Sequence, residues 1–454
     1  MTAQGVRVGL TAACIGIIYG YDLGGIAGVL LFIDTDFGLD DSQKQLLTTM
    51  VVLGQIVGTL SGGVLADAVG RKRSLVACLA GYAVFAVLGA TAVSLPVLLV
   101  ARLFLGAAIG VSIVVVPVYV AESAPASVRG SLLTAYQFTI LAGIIVGYLA
   151  GYLFAPTQNW RWLLGLAAAP AVVLLAMLAR VSDTANWYLL KGRTEDARRA
   201  LARIEPADTV EATLDGIAAA LNERRGSIGD MLRKPYLRAT VFVVVLGFLV
   251  QITGINAIIY YSPKLFEAMG FEGNFGRLAL PAMVQVGALA AVGVSLSLVD
   301  RLGRRPILLA GIAAMIAADA VVIAAGTSDG TAARILGFGG VLLFIIGFNF
   351  GFGSLVWVFA GESFPSHLRS LGSSAMQTSN LTANAVIAGF TLTMLNRIGM
   401  AGMFAVFGLF AVIAFLVVYR FAPETRGRQL EDIRYFWENG GRWPASDAGP
   451  TDPS

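Results

Sequence analysis

Asp22 sits in the stretch Tyr19-Gly20-Tyr21-Asp22-Leu23-Gly24-Gly25, inside an apolar run from Val8 to about Phe32. A lone carboxylate in hydrocarbon costs several kcal/mol, so an acid there must be paired, solvated or neutral, and an intramembrane acid reads as a functional site. Arg102 is the one other strongly charged residue that reads as equally deep in an apolar run. Two chemistries fit this pair. It is a site that takes up and releases a proton, or it is a static ion pair.

The two residues have compatible depths. If the first run rises outward from Val8, Asp22 stands roughly 21 Å up at 1.5 Å per residue. If the fourth run descends from about Val97, Arg102 lies roughly 7–8 Å below the outer face. In a hydrocarbon core of about 30 Å the two heights agree. Arg102 favours the ionised carboxylate and desolvation opposes it, so movement of one helix could switch the proton.

A second set of side chains suits a neutral, polyhydroxylated ligand. Amides both donate and accept, and an aromatic face complements the apolar side of such a molecule. Gln137, Gln251, Asn256, Tyr260, Tyr261, Asn349, Trp357, Asn380 and Asn384 all lie within apolar runs. Each also fits an interhelical hydrogen bond, Asn349 and Tyr261 evenly so. Apart from Arg102 no buried base is available for an anionic substrate. No nucleophile, acid–base set or metal-ligand cluster points to an enzyme or a cofactor. His367, the only histidine, falls in a polar loop.

These residues need membrane helices to hold them. The chain has 454 residues, of which 57% are hydrophobic and 13% charged. Soluble domains carry about twice that charge fraction. Apolar runs fall at about 8–31, 45–66, 74–94, 96–120, 131–154 and 160–181, then at about 238–268, 277–299, 306–326, 335–360, 370–395 and 401–421. The fold class is an all-α membrane protein of twelve spans in two six-helix bundles. The expected units are 1–181 and 238–421 for the bundles, 182–237 for a helical linker and 422–454 for a tail. Within the linker, helices are expected from Thr194 and from Thr209 to about Arg224. Cys14 and Cys78 both lie in apolar runs and read as free thiols. The first run carries Asp22 and no small-residue cleavage site follows it, so it reads as a retained span rather than a signal peptide.

Lys and Arg cluster after even-numbered spans, as in Arg71-Lys72-Arg73, Arg301 with Arg304-Arg305, and the linker from Lys191 to Arg238. That bias places both termini in the cytoplasm of a plasma or inner membrane. It also accounts for the net charge of +4 without a nucleic-acid partner. The expected partners are the lipid bilayer, a small neutral solute and a proton, with a monomer as the working unit.

The halves repeat. Asp67-x-x-Gly70-Arg71 matches Asp300-x-x-Gly303-Arg304, and Glu122-x-x-Pro125-x-x-x-Arg129 matches Glu362-x-x-Pro365-x-x-x-Arg369. Repeats of this kind mark a two-bundle transporter with its site between the bundles near the midplane. Asp67, Arg71, Glu122, Arg129, Asp300, Arg304, Glu362 and Arg369 form a candidate cytoplasmic gate, and a merely solvated loop would not need the spacing twice.

With these motifs in place the chain resembles the sugar porter family of the major facilitator superfamily. The resemblance rests on Gly20-Tyr21-Asp22, the Asp67–Arg73 loop, Arg102-Leu-Phe-Leu-Gly106, Pro117 to Gly130, Gly254-Ile-Asn256, Trp357-x-x-x-x-Glu362 and Pro423-Glu424-Thr425-Arg426-Gly427, and runs from about Tyr19 to Glu431. It implies symport of a monosaccharide with a proton by alternating access, with Asp22 as proton site and Arg102 as its partner. It implies sugar contacts from Gln137, Gln251, Asn256 and Trp357, in a pocket also lined by Tyr19 and Ile144. Departures stand at Val250, Ala288 and Leu381, where the family holds a glutamine, an asparagine and a tryptophan, and at Ser182 to Trp187 after span 6. The first three remove polar or aromatic sugar contacts and point to a smaller or less hydroxylated sugar or a polyol. A facilitative uniporter is the alternative, and a transporter-like receptor a more remote one, since only about 30 residues follow span 12.

Overall fold

The computed structural model describes residues 3–124, 128–205, 208–222, 226–326, 330–428 and 430–443. It is helical throughout its spans. Eleven helical segments are long and apolar enough to cross a membrane, and the last, Leu368–Phe421, is 54 residues long. At 1.5 Å per residue that is about 80 Å, far more than one bilayer crossing. Gly399 breaks it with φ +70, a left-handed conformation that turns the chain back as spans 11 and 12. The twelve crossings form two pseudo-symmetric halves.

Several spans are not single rods. Span 1 is built from Ala3–Ala13 and Gly16–Phe32. Span 7 is Leu237–Ile252 followed by Ile255–Ala268, parted at Gly254 with φ +98 and bent again at Tyr261, two residues before Pro263. Span 10 is Gly330–Phe350 and Phe352–Glu362, parted at Gly351. The apolar runs register only as continuous stretches, because hydropathy is blind to a break that glycine permits.

Small residues bring the helices close, since lipid tails are as apolar as leucine and association rests on packing. A Cβ on Gly20 would lie 1.9 Å from the Ile140 carbonyl oxygen, and one on Gly24 would lie 2.2 Å from that of Ile144. Span 1 therefore rests backbone to backbone on span 5. Span 2, opened by a capping box between Asp40 and Gln43, packs in the same manner on span 4.

The linker has the two expected helices, Thr194–Leu201 and Val210–Asn222. Arg198 joins them, pairing with Glu195 on its own helix and Glu211 on the next at 2.6 Å. That hydrogen bond holds the Glu211 carboxyl below its ordinary value. Two short helices not expected from the sequence, Ala185–Leu190 and Ile228–Met231, flank them. The tail is not wholly extended either. Leu430–Glu438 is helical, and its Trp437 ring stands 5.2 Å from Phe242 of span 7.

Candidate functional site

Asp22 and Arg102 meet. Arg102 Nη1 donates to Asp22 Oδ1, and the residues are 2% and 7% exposed for Arg102 and Asp22 respectively. Span 1 holds its carboxylate in place because neighbouring hydroxyls tie down its backbone and sides. Tyr82 Oη donates to the Ile18 carbonyl at 3.0 Å, and Tyr21 Oη donates to the Leu163 carbonyl at 2.9 Å. Tyr260, from the other half, lies within electrostatic reach of both Tyr19 and Asp22. The charged pair therefore borders the interface between the halves.

Across that interface the span 7 break presents amides. Gln251 Nε2 donates to Asn380 Oδ1 at 3.2 Å, and Asn380 Nδ2 reaches the Gly247 carbonyl at 3.4 Å. Asn384 Nδ2 donates to Tyr260 Oη at 3.1 Å. What these bonds leave over is informative. Gln251 Oε1, Asn256 Nδ2 and Asn384 Oδ1 are buried without a hydrogen-bond partner. Unmet buried donors and acceptors are uncommon, and a concentration of them in one wall is what a hydrogen-bonding ligand would satisfy. Trp357, on the short second piece of span 10, is 40% exposed and free to supply a face. Gln137 and Tyr19 are half-buried in spans 5 and 1.

Other singled-out residues have packing roles. Asn349 Nδ2 donates to the Ile345 carbonyl of its own helix at 2.9 Å, and Tyr261 Oη donates to the Ala388 carbonyl at 2.6 Å. Ile144 is 2% exposed, in the seam where span 5 meets span 1. Val250, Ala288 and Leu381 are buried and apolar.

Arg102 is not the sole companion of Asp22 in depth. Asp319 in span 9 is 1% exposed, and neither of its carboxyl oxygens has a hydrogen-bond partner. It packs into the notch at Gly408 of span 12, whose Cβ position lies 3.2 Å from Asp319 Cβ. It lies well inside the run 306–326, so the expectation that Arg102 is the one other charged residue at that depth is corrected. Its burial depends on which face of span 9 meets span 12.

The repeated charged motifs fold into two matching clusters, one per half. In the first, Arg71 bonds Asp67 at 2.9 Å and Glu122 at 3.2 Å. In the second, Arg304 bonds Asp300 at 3.2 Å, with Glu362, Arg369, Thr425 and Glu424 grouped beside it. The Arg129 and His367 side chains lie outside the described residues. A third repeated element escaped the motif reading. Asp183 accepts from the Arg71, Lys72 and Thr184 amides at 3.0, 3.2 and 2.9 Å. Glu424 accepts from the Arg304, Arg305 and Arg426 amides at 3.1, 3.1 and 2.9 Å. Each acid caps the free N–H groups and positive dipole end of the following-loop helix, span 3 or span 9. The signal was the acid-Thr pair after spans 6 and 12, Asp183-Thr184 and Glu424-Thr425.

Among the described residues, the hydrogen bonds joining the two halves lie toward the outer side. Gln45 Nε2 donates to Thr393 Oγ1 at 3.0 Å, Asn396 Nδ2 to Asp41 Oδ2 at 2.5 Å, and Tyr148 Oη to the Ile259 carbonyl at 2.5 Å.

Known proteins share this plan. The family model described as "Sugar (and other) transporter" matches residues 8–437. The galactose-proton symporter of Escherichia coli (strain K12) is 32% identical over 429 residues, covering 93% of this chain and 92% of that protein. The glucose transporter GlcP of Staphylococcus epidermidis is 31% identical, covering 96% and 98%. Among solved structures, the inward-open xylose transporter XylE of E. coli superposes with a TM-score of 0.83 at 23% identity, covering 96% of this chain and 100% of that one. That likeness shows the fold, and with the family match it establishes that this chain belongs to the sugar transporter family and spans the membrane many times.

Proposed function

We propose that the chain is a proton-coupled symporter of a neutral monosaccharide, working by alternating access in a bacterial-type inner membrane with both termini cytoplasmic. One observation carries the reading. A buried Asp22–Arg102 pair borders, through Tyr19 and Tyr260, a wall of amides whose Gln251 Oε1, Asn256 Nδ2 and Asn384 Oδ1 lack partners. The named functions of the relatives, galactose–proton and arabinose–proton symport, support the same chemistry.

The residues divide the work. The amides and Trp357 hold the sugar, with Gln137, Asn380 and Tyr260 completing the wall. Asp22 takes a proton from the outer side, which releases the charge-assisted bond to Arg102 and frees span 1 from span 4. When the site faces inward, the pair re-forms and the proton leaves. On the cytoplasmic side, Glu122, Arg129, Glu362 and Arg369, braced by Asp67, Arg71, Asp300 and Arg304, close the inner gate by pairing across the halves when the outer side opens. The Asp183 and Glu424 caps fix the helix ends that carry those arginines.

The test is uptake by proteoliposomes from a panel of labelled hexoses, pentoses and polyols, with and without a pH gradient. Gradient-dependent accumulation of one sugar is expected, with alkalinisation of the outside medium as the sugar enters. Uptake that only equilibrates, and moves no proton, replaces symport with uniport.

A further inference from the structure

Gln55 lies midway along span 2, 0% exposed, and both polar atoms of its amide lack a hydrogen-bond partner. A buried amide with neither donor nor acceptor met is a standing cost in an apolar interior. The other span amides with unmet atoms are Gln251, Asn256 and Asn384, all in the wall described above. Gln55 alone comes from the N-terminal half.

Its depth and direction follow from contacts. Spans 2 and 11 run antiparallel, with Gln45 bonded to Thr393 and Thr49 Oγ1 lying 3.4 Å from the Cβ position of Gly389. Each residue inward on span 2 is thus matched by one inward on span 11. Six further residues place Gln55 level with Ala383, beside Asn384 and its unmet Oδ1. At 100° per residue, Gln55 falls about 20° from Thr48 around the helix. Thr48 is buried on that face, its hydroxyl donating to the Lys44 carbonyl at 3.1 Å. Gln55 therefore lies on the buried face of span 2, between the side that packs on span 4 and the side that packs on span 11, at the level of the Tyr260–Asn384 bond. Span 4 packs against the backbone of Gln55 itself, the Cβ position of Gly110 lying 2.2 Å from the Gln55 carbonyl, and fixes the helix there.

We propose that the Gln55 amide is a further ligand group, donating to and accepting from a hydroxyl of the bound sugar when the two halves close on it. This deepens the symporter reading and rests on it.

The experiment is calorimetric binding of D-galactose, D-glucose and L-arabinose, with each singly deoxygenated analogue, to the parent, Gln55→Leu and Gln55→Asn, with Gln251→Ala as control. Gln55→Leu is expected to weaken the sugar about tenfold, the loss of one or two hydrogen bonds. One deoxy analogue should bind the parent and Gln55→Leu equally, which marks the hydroxyl that the amide holds. Gln55→Leu should also melt no lower than the parent, because it buries no unmet polar atom; a purely structural amide would give a lower melting temperature with unchanged affinity, overturning the proposal. Gln55→Asn, which keeps the amide a methylene short, supplies the same readout if the leucine variant does not fold. Should Gln251→Ala lose the sugar while both Gln55 variants bind every analogue as the parent does, this inference fails and the symporter reading stands. If the parent binds none of the sugars, both fall together.

Discussion

Replacing Asp22 by Asn separates sugar binding from proton coupling. The amide keeps the shape of a protonated carboxyl and retains Oδ1, the atom that accepts from Arg102 Nη1. It cannot release a proton. Cutting away one member of a buried ion pair costs about 3–5 kcal/mol, because the other charge is stranded. With an acceptor retained, the loss is closer to that of a charge-assisted hydrogen bond, about 1.5–3 kcal/mol, so the variant is expected to fold. Its transport changes in kind. One proton moving with a neutral sugar through 100 mV contributes about 2.3 kcal/mol. At 1.36 kcal/mol per factor of ten, that supports roughly 50-fold accumulation by the parent. Asp22→Asn should equilibrate and go no further, while binding and exchanging sugar. Arg102→Ala should be worse for folding, since it leaves Asp22 at 7% exposure with no partner. The assay is labelled-sugar accumulation in vesicles at a clamped potential, with outside pH recorded. Accumulation by Asp22→Asn against its gradient would refute the assignment of the proton to this residue.

Four further outcomes follow from the geometry. Gln251→Ala and Trp357→Ala should each weaken sugar binding, the first by about 1–3 kcal/mol for stranded hydroxyls, as read by calorimetry; parent-like affinity in both would misplace the pocket. Arg369→Ala should shift the population inward and slow transport, seen as longer cytoplasmic spin-label distances, and unchanged distributions would remove the gate. Asp319→Ala should raise the melting temperature, since it deletes two unmet buried oxygens worth about 1–3 kcal/mol, and a clear drop would show that the carboxyl has a partner. In the linker, the Glu211 carboxyl is held below its ordinary value of 4.5 by its bond to Arg198. Its contribution is therefore present above that value and lost as pH falls through the lowered one; a Glu211 carbon resonance titrating at or above 4.5 would contradict the contact.

The number of spans, the two halves and the meeting of Asp22 with Arg102 were legible in the chain itself. Each depends on a quantity that sequence carries directly: the length of an apolar run, the recurrence of a motif, and a rise per residue fixed by helix geometry. The amides of the candidate wall were legible as residue types for the same reason, since a polar side chain in an apolar run stands out. Which of them have unmet atoms was not. Asn349 and Asn384 look alike in sequence, yet one is satisfied by its own helix and the other keeps a free oxygen, because hydrogen-bond partners come from neighbouring helices and backbone bends. The breaks at Gly254 and Gly351 stayed hidden because hydropathy averages over them. The caps by Asp183 and Glu424 stayed hidden because two of the three N–H partners of each lie more than a hundred residues away. Asp319 and Gln55 stand out in their apolar runs as polar residue types, but their burial was not legible: it is a property of a helix face against another helix, and only the packing of span 9 on span 12 and of span 2 on span 4 decides it.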